Sequence, residues 1–246
     1  NLSEAVIGVE DNKKPAVDSL TAYLDKNGIS DVRVCVLKTK YPQGAEKQLI
    51  YAVTGRKVPM GALPASVGVV VANVHTALSA FYAVTEGVPL YKRIMTVTGG
   101  GIERPANLWV SNGTLYNDVI EFCGGIKKDV NVVKMINGGP MMGAAVSGGT
   151  IACTKTTSCL LLMTDKEAFT GKPSPCINCA KCADVCPMRL MPMYMDLYSR
   201  AGDLDSAVKY GLSSCIECGC CTYICPAKRT LVQSFRLAKK QLRGRK

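Results

Sequence analysis

Two hydrophobic periodicities alternate along the first third of the chain, one typical of strands and the other of helices. Apolar runs predict strands over Ala5–Glu10, residues 31–38 and residues 67–72. Helical spacing predicts helices over residues 15–27, Glu46–Thr54 and residues 73–85, closed by Gly28, Gly55 and Gly87. We expect Asp11 and Asn12 to cap the first of them. This alternation is typical of a parallel α/β sheet, with ligands bound in the loops at its strand ends.

The middle of the chain changes to a different order of elements. Strands are predicted over residues 93–98 and 107–110, on either side of a turn at residues 99–101, followed by a helix over 114–123 and a strand over 131–136. This order is compatible with a small β-grasp module. The glycine-rich residues 138–143 and 148–149 predict a flexible connector, and the segment from residue 173 onward is cysteine-rich and mostly helical.

Eight of the thirteen cysteines form two copies of one motif, C-x2-C-x2-C-x3-C-P, offset by 39 residues. Thiolates at this spacing can wrap a cubane whose irons each need one soft ligand. The proline after each fourth cysteine turns the chain away, toward the other cluster. We therefore expect two [4Fe-4S] clusters with crossed ligands: Cys176, Cys179, Cys182 and Cys225 for the first, and Cys186, Cys215, Cys218 and Cys221 for the second.

The alternative of a structural zinc site is disfavoured, because such sites generally use two ligand pairs with long spacers. The remaining cysteines are assigned no ligand role and are interpreted as small hydrophobic side chains: Cys35, Cys123, Cys153, Cys159 and Cys220. Cys220, between Gly219 and Cys221, is expected to lie near a cluster without binding it. This use of cysteine fits a reducing compartment rather than a secreted, disulfide-bonded domain.

The composition excludes several classes. With 48% hydrophobic residues the chain can bury a core, and no apolar run approaches the roughly 18 residues of a membrane helix, so we expect a soluble globular protein. It opens at Asn1 without a leader, and we interpret it as part of a longer protein. The net charge of +11 suggests an acidic partner or membrane surface, whereas 6% aromatic residues argue against nucleic acid.

Four segments carry a resemblance to a known family. They are residues 41–48 (YPQGAEKQ), 71–76 (VANVHT) and 138–143 (GGPMMG), followed by the doubled cysteine motif. In this order, and over nearly the whole chain, they resemble the C subunit of the Rnf electron-transport complex. The resemblance implies an ion-translocating NAD–ferredoxin oxidoreductase. Its implied partners are other Rnf subunits, some membrane-embedded and one of ferredoxin type, and its implied location is the cytoplasmic face of the membrane.

The α/β part is similar to the NADH-binding flavoprotein subunit of respiratory complex I, in which two loops surround FMN and the nicotinamide. The resemblance places Tyr41, Gly44 and Glu46 in the first loop, and Asn73 and Thr76 in the second. It implies FMN as a cofactor and NADH as a substrate, and we assign no catalytic residue.

Three positions depart from that pattern: Ala45 and Ala72 stand where a Glu and an Asn are expected, and His75 where a Glu is expected. The glycine-rich FMN loop is not seen, and we expect it upstream of Asn1. The expected architecture is a Rossmann-like α/β FMN/NADH-binding domain over 1–90, truncated at its N-terminus, a β-grasp domain over 91–150, a connector over 151–172, and a helical ferredoxin-type domain over 173–246.

Simpler roles stay open for several of these residues. Glu46 is suited to the start of a helix, and Asn73 to an N-cap. His75 is more typical of a helix face than of a catalyst, and the glycines at 99–101 are assigned no phosphate. The basic tail over 236–246 is either a solvated helix end or a surface for a membrane partner.

Three functional hypotheses follow. The first is an electron-input subunit that passes electrons between NADH, FMN and the clusters. The second is a cobalamin reductase of similar domain composition, and the third is a flavin-free iron–sulfur connector.

Overall fold

The computed structural model describes residues 2–245. Its contacts divide the chain into two compact units, which separate between Val71 and Ala72. No helix within the described residues has both the length and the apolar character needed to cross a membrane. Lys246, the last residue of the basic tail, lies outside the described residues.

The first unit has two strands and two helices: β1 (Ala5–Glu10), α1 (Lys14–Lys26), β2 (Val32–Leu37) and α2 (Glu46–Thr54). The strands pair in parallel, from Ala5 opposite Val32 to Glu10 opposite Leu37. A Cβ at Gly8 would press on the side chains of Leu49 and Leu37, so this glycine lets α2 pack closely on the sheet. Parallel pairing of the first two predicted strands is thus confirmed.

The structure confirms most helix boundaries in this unit and overturns one cap. Helix α2 ends at Gly55, which has a φ of 69° in the left-handed region, as its sequence predicts. Asp11 does not cap α1, because its carboxylate instead accepts hydrogen bonds from the backbone N–H and the hydroxyl of Thr39, at 3.0 and 2.5 Å. The contact with the Thr39 hydroxyl is the main cause that lowers the pKa of Asp11.

The strand expected over residues 67–72 is wrong. A short 3-10 helix spans Pro64–Val67 and ends at Gly68, whose φ is 69°. Val70 is 81% exposed, and the sheet of this unit contains only β1 and β2. The residues after Gly68 do not pair with β1 or β2, so this apolar run does not form a strand. Its hydrophobicity alone suggests one. The loop over 71–76 accordingly does not follow a strand.

The second unit begins with helix α3 (Val74–Thr85), followed by β3 (Lys92–Thr98), β4 (Ala106–Ser111), α4 (Tyr116–Phe122), β5 (Val132–Asn137), β6 (Ala144–Val146) and β7 (Cys159–Thr164). The five strands form one sheet in the order β4-β3-β7-β5-β6. Strand β7 runs parallel to β3 and antiparallel to β5. The core between this sheet and α4 is apolar: Met95, Leu160 and Leu162 of the strands are fully buried beside Tyr116 of the helix.

Two of these strands lie where connectors are expected, at residues 138–149 and over 151–172, and correct that expectation. Strand β7 is the central strand of the sheet, and its nearly unbroken apolar sequence is typical of a strand buried on both faces. Strand β6 pairs with β5, so the glycine-rich residues 138–143 form the turn of a hairpin. The long separation in sequence between β3 and β7 hides their pairing from local patterns.

The glycine turn after β3 is structural. Gly99 has a φ of 112°, and a Cβ there would overlap the backbone of Leu162. The Gly100 N–H donates to the carboxylate of Glu167, with N···O distances of 3.0 and 3.1 Å. The Glu167 carboxylate therefore accepts the hydrogen bond of the N–H group that a phosphate would otherwise bind.

The rest of the second unit is helical: α5 (Lys181–Asp184), α6 (Pro192–Ala201), α7 (Leu204–Lys209), α8 (Cys220–Ile224) and α9 (Leu231–Gly244). Met195, Leu212 and Phe235 are fully buried in its core, against which several motif cysteines pack. Helix α9 buries one face through Leu231, Val232, Phe235 and Ala238. Residues 236–244 of the basic tail therefore belong to a helix that packs on this core.

Candidate functional site

The motif cysteines line two separate cavities. The first has a volume of about 100 Å³ and is bounded by helix α6, by Arg229 and by four thiols: Cys176, Cys179, Cys182 and Cys225. Three of these cysteines come from the first copy of the motif, whereas the fourth comes from the second copy.

The second cavity is smaller, at about 20 Å³, and is lined by the complementary set of cysteines: Cys186, Cys215, Cys218 and Cys221. Cys220 lines it too, which agrees with the expectation that it lies near a cluster site. The eight cysteines divide between the cavities in the crossed arrangement that the sequence predicts. Their role as ligands stays a prediction.

The sequence repeat is also a repeat of backbone geometry. Asn178 and Glu217, one motif apart, have φ values of 56° and 57°, and Arg189 and Lys228 both have 52°. At the third related pair, Ala180 has a φ of 58° and Gly219 one of 87°. Left-handed conformations cost side-chain-bearing residues about 1–2 kcal/mol each, and strain of this kind concentrates at functional sites. The two loops are built to present thiols in one fixed geometry.

Backbone N–H groups surround the thiols of the second cavity. The N–H of Glu217 points to the Sγ of Cys215, and that of Leu190 to the Sγ of Cys186, each at 3.4 Å. Hydrogen bonds to sulfur stabilise negative charge on a thiolate and are one of the protein's controls over cluster potential. This donor set fits an anionic iron–sulfur cluster.

Burial acts in the opposite direction on the free thiols. It raises the pKa of Cys182 and Cys215, and it raises the pKa of Cys221 to about 12. Such thiols form thiolates readily only when a cation such as iron compensates the charge. Within residues 2–245, no three His, Cys, Asp or Glu side chains meet closely enough for a single metal ion. Each cysteine set surrounds a space instead.

A buried carboxylate beside the first cavity was missed from the sequence. The side chain of Asp196, on α6, is 2% exposed and accepts hydrogen bonds from Arg200 at 2.8 Å, Arg229 at 2.6 Å and Ser234 at 2.6 Å. This contact with Asp196 is the main cause that raises the pKa of Arg229. The i, i+4 spacing of Asp196 and Arg200 was a visible signal for one of these pairs.

A second charged group lies beside the second cavity. Glu217 accepts hydrogen bonds from Arg236 at 3.0 Å and from Lys239 at 2.8 Å, both on α9. Lys239 also donates to the Cys215 carbonyl at 2.6 Å. Burial on its own would raise the pKa of Glu217, but these two cations outweigh it and lower the pKa. Two of the basic residues of the tail therefore have partners at the cysteine loop.

The residues expected around a flavin fall in different units. Tyr41, Gly44 and Glu46 belong to the first unit, and Asn73 and Thr76 to the second. Glu46 is the first residue of α2 and is exposed, and Ala45 before it supplies no side-chain cap. A Cβ at Gly44 would meet nothing within 4 Å, so the packing of the protein does not require a glycine there.

The second group of residues lies at the start of α3. Asn73 is the N-cap and accepts a hydrogen bond from the His75 N–H at 3.0 Å. Thr76 is exposed on the first turn. The His75 ring lies 5.9 Å from the ring of Trp109, and its Nε2 is buried without a hydrogen-bond partner. The capping role of Asn73 is thus shown, whereas a flavin contact stays a prediction.

Three family models match successive parts of the chain. The Nuo51 FMN-binding domain matches residues 1–81, the SLBB domain residues 94–145, and the 4Fe-4S dicluster domain residues 170–226. The SLBB match ends before β7, although that strand completes the same sheet.

Curated relatives share this combination over almost the full chain. The chain is 46% identical over 249 residues to the C subunit of the proton-translocating ferredoxin:NAD(+) oxidoreductase complex of Clostridium ljungdahlii, covering 99% of this chain and 52% of that protein. It is also 46% identical, over 241 residues, to the C subunit of the Na(+)-translocating complex of Acetobacterium woodii, covering 98% and 54%. The C subunit of the ion-translocating oxidoreductase complex of Rhodobacter capsulatus is 42% identical over 241 residues, covering 98% and 46%.

The fold, the two cysteine-lined cavities and the domain matches define the class: a protein that combines an FMN-binding domain, an SLBB domain and a 4Fe-4S dicluster domain, which imply FMN and iron–sulfur clusters. Within this class, the chain belongs to the family formed by the C subunits of ion-translocating ferredoxin:NAD+ oxidoreductases, the Rnf complexes. It spans about half the length of the curated relatives it matches. The resemblance that the sequence motifs indicate is confirmed.

Proposed function

We propose that this chain carries electrons between NADH, a bound FMN and two [4Fe-4S] clusters, as the electron-input part of an ion-translocating complex. The observation that carries the proposal is the division of eight cysteines between two cavities that repeat each other's backbone geometry. Each cavity is lined by four thiols of the motif, which is the ligand set of one cubane, and Cys220, which also lines the second cavity, is not a motif position.

The assignment of ligands follows that division. Cys182 and Cys225 reach the first cavity from different motif copies, and Cys186 and Cys215 do the same at the second. Because each copy contributes to both sites, the two clusters are held in one compact helical domain. Short separations between redox centres of this kind suit one-electron transfer.

The flavin side rests on a smaller set of residues. FMN supplies the conversion between two-electron hydride chemistry and one-electron transfer. Gly44 leaves open space before the start of α2, and Glu46, the first residue of that helix, is exposed. We assign FMN and NADH binding to the residues that the resemblance indicates: Tyr41, Gly44, Glu46, Asn73 and Thr76.

The finer domain assignment belongs to the same proposal. We interpret the first domain as a Rossmann-like α/β domain and the five-stranded sheet as a β-grasp domain that extends through β7. The partners are other subunits of the complex, including membrane-embedded ones and one of ferredoxin type. The chain would then act at the cytoplasmic face of the membrane.

The test uses the complete protein, purified and reconstituted without oxygen. With FMN bound, NADH is expected to bleach the visible absorption of the clusters. Replacement Glu46→Gln is expected to lower kcat/KM for NADH about tenfold to a hundredfold, as expected for one or two charge-assisted hydrogen bonds, while iron content stays unchanged.

The control is Asp18→Asn, which alters an exposed carboxylate on α1 paired only with Lys14. Bleaching by dithionite without any bleaching by NADH would refute the proposal and favour the flavin-free connector. Reduction of a corrinoid with NADH would favour the cobalamin reductase.

A further inference from the structure

The turn at residues 138–143 joins β5 and β6 and is held in a fixed conformation by hydrogen bonds. Electron transfer through the cysteines does not explain what this turn does. The Gly138 N–H donates to the Cys159 carbonyl at 2.8 Å, and the Gly143 N–H to the Gly139 carbonyl at 2.8 Å. Gly138 has a φ of 105°. These bonds anchor the turn on the central strand and fix the position of its tip, Met141 and Met142.

The tip of this turn touches the loop of the second cavity. A Cβ at Gly219 would overlap the carbonyl of Met141, so the backbone of the turn lies directly on that glycine. Gly219 follows Cys218, which lines the second cavity, and it is the N-cap of α8, the helix that carries Cys221. At the equivalent position of the first motif the chain has Ala180, so the first loop carries a Cβ there.

Arg236 joins the same two elements from helix α9. One nitrogen of its guanidinium, Nη2, donates to the Met142 carbonyl at 2.8 Å, and another, Nε, donates to the Glu217 carboxylate at 3.0 Å. Lys239 then links Glu217 to the Cys215 carbonyl. Charged hydrogen bonds thus run without a gap from the tip of the turn to the cysteine loop.

The two cavities also differ in exposure. Cys176 and Cys179 of the first set are exposed, whereas the repeat-equivalent Cys215 is half-buried and Cys218 is buried. The loop on which the turn at residues 138–143 packs is thus the less exposed of the two.

We propose that the turn at residues 138–143 is an outer wall of the second cluster site, which packs on the cysteine loop at Gly219 rather than lining the cavity itself and is held closed by Arg236 as a positioning residue. The inference rests on the proposed function, since it assumes a cluster at this site. The closed wall keeps water and chelators from the second cluster. It also disfavours the extra negative charge of the reduced cluster, because a dry surrounding stabilises charge less than water does.

The test compares iron release from the anaerobically loaded protein to a ferrous chelator. In Arg236→Lys the positive charge remains, but one ammonium group cannot reproduce the two hydrogen bonds that the guanidinium donates to the Met142 carbonyl and the Glu217 carboxylate. We expect the iron of the second cluster, half of the total, to be released about tenfold faster than in the unchanged protein. A tenfold change is what the loss of one charge-assisted hydrogen bond produces in the equilibrium for opening the turn. The reduction potential of the second cluster should become more positive, because water then stabilises its reduced form.

A second variant addresses the contact itself. Gly219→Ala should accelerate the same half of the iron release, because its Cβ pushes the turn away. Gly202→Ala is the matched control: its φ of 78° gives similar backbone strain, but a Cβ there meets nothing within 4 Å. Lys240→Ala is the control on α9, since that lysine is exposed. Both controls should release iron at the unchanged rate.

The outcomes separate the two claims. Unchanged iron release and potential in Arg236→Lys, with clusters present, would overturn the wall while leaving the proposed function intact. Equal acceleration at both clusters would also overturn it, because the contacts reach only the second site. Absence of iron–sulfur clusters from the unchanged protein would overturn the proposed function and the wall together.

Discussion

Asp196 is the side chain on which the first cluster site most depends for its shape. Its carboxylate is 2% exposed and binds Arg229 and Arg200. It also accepts a hydrogen bond from Ser234 on α9, at 2.6 Å. The contacts join α6, the segment after Cys225 and α9. Replacement Asp196→Asn keeps the shape of the side chain, removes the negative charge and leaves two guanidinium groups without the carboxylate that pairs with them.

The magnitude follows from the burial of the partners. Removing one member of a fully buried ion pair costs about 3–5 kcal/mol. Arg229 is 20% exposed and Arg200 44% exposed, so water compensates part of the loss and the lower end, about 3 kcal/mol, applies. In a helical domain of this size each kcal/mol lowers the midpoint of thermal unfolding by about 4–8 °C. The expected decrease is therefore about 12–24 °C.

The assay is thermal unfolding of the cluster-loaded protein without oxygen, followed by circular dichroism and visible absorption. Asp205→Asn is the control, because Asp205 is 93% exposed and lies 3.8 Å from Arg245, which predicts a cost of no more than about 0.5 kcal/mol. A midpoint for Asp196→Asn that matches the control would refute this account of the domain's stability. Loss of the second cluster before the first would also refute it, because Asp196 and Arg229 line the first of the two cavities and not the second.

Three further outcomes are expected. Cys220→Ser should keep all of the roughly eight iron atoms, whereas Cys218→Ala should lose about half of them. Iron analysis of the two variants therefore tests whether Cys218, and not Cys220, is a ligand. Glu167 accepts hydrogen bonds from Thr164 and Gly100, which lower its pKa, the backbone N–H of Thr164 being the main cause. Its stabilising effect should be complete above the unfolded pKa of about 4.3 and lost as the pH falls through the lower folded value, so the difference between the unfolding midpoints of Glu167→Gln and the unchanged protein should shrink on acidification below that unfolded pKa. A difference that stays constant on acidification would contradict the assignment. Lys239→Met should weaken the second site without affecting the first, because Lys239 contacts the Cys215 carbonyl; equal iron loss from both sites would argue against it.

Local patterns were sufficient where the determining residues are close in sequence. The helix Glu46–Thr54 and its end at Gly55 follow from spacing and from one glycine. The crossed division of the cysteines could also be predicted, because the proline after Cys186 and after Cys225 redirects the chain within a few residues. These features depend on backbone chemistry that neighbouring residues already fix.

Long-range pairing was not accessible in this way. Strand β7 pairs with β3 more than sixty residues away, and the apolar sequence of Cys159–Thr164 does not by itself identify the strands that it pairs with. The run over 67–72 shows the opposite error, since its hydrophobicity suggests a strand for which the first unit offers no partner. Asp196 and Arg236 were missed for a related reason: partners such as Arg229 and Met142 are brought to them only by the fold.

Iron content of paired cysteine variants tests the central claim, the crossed binding of two clusters, most directly. The unchanged protein should hold about eight iron and eight acid-labile sulfide per chain. If Cys176 and Cys225 serve the same cluster, the double variant Cys176→Ala/Cys225→Ala should keep about four iron, and Cys215→Ala/Cys225→Ala should keep almost none. The reverse result, with four iron retained only in the second double variant, would show that each motif binds its own cluster and would contradict the account.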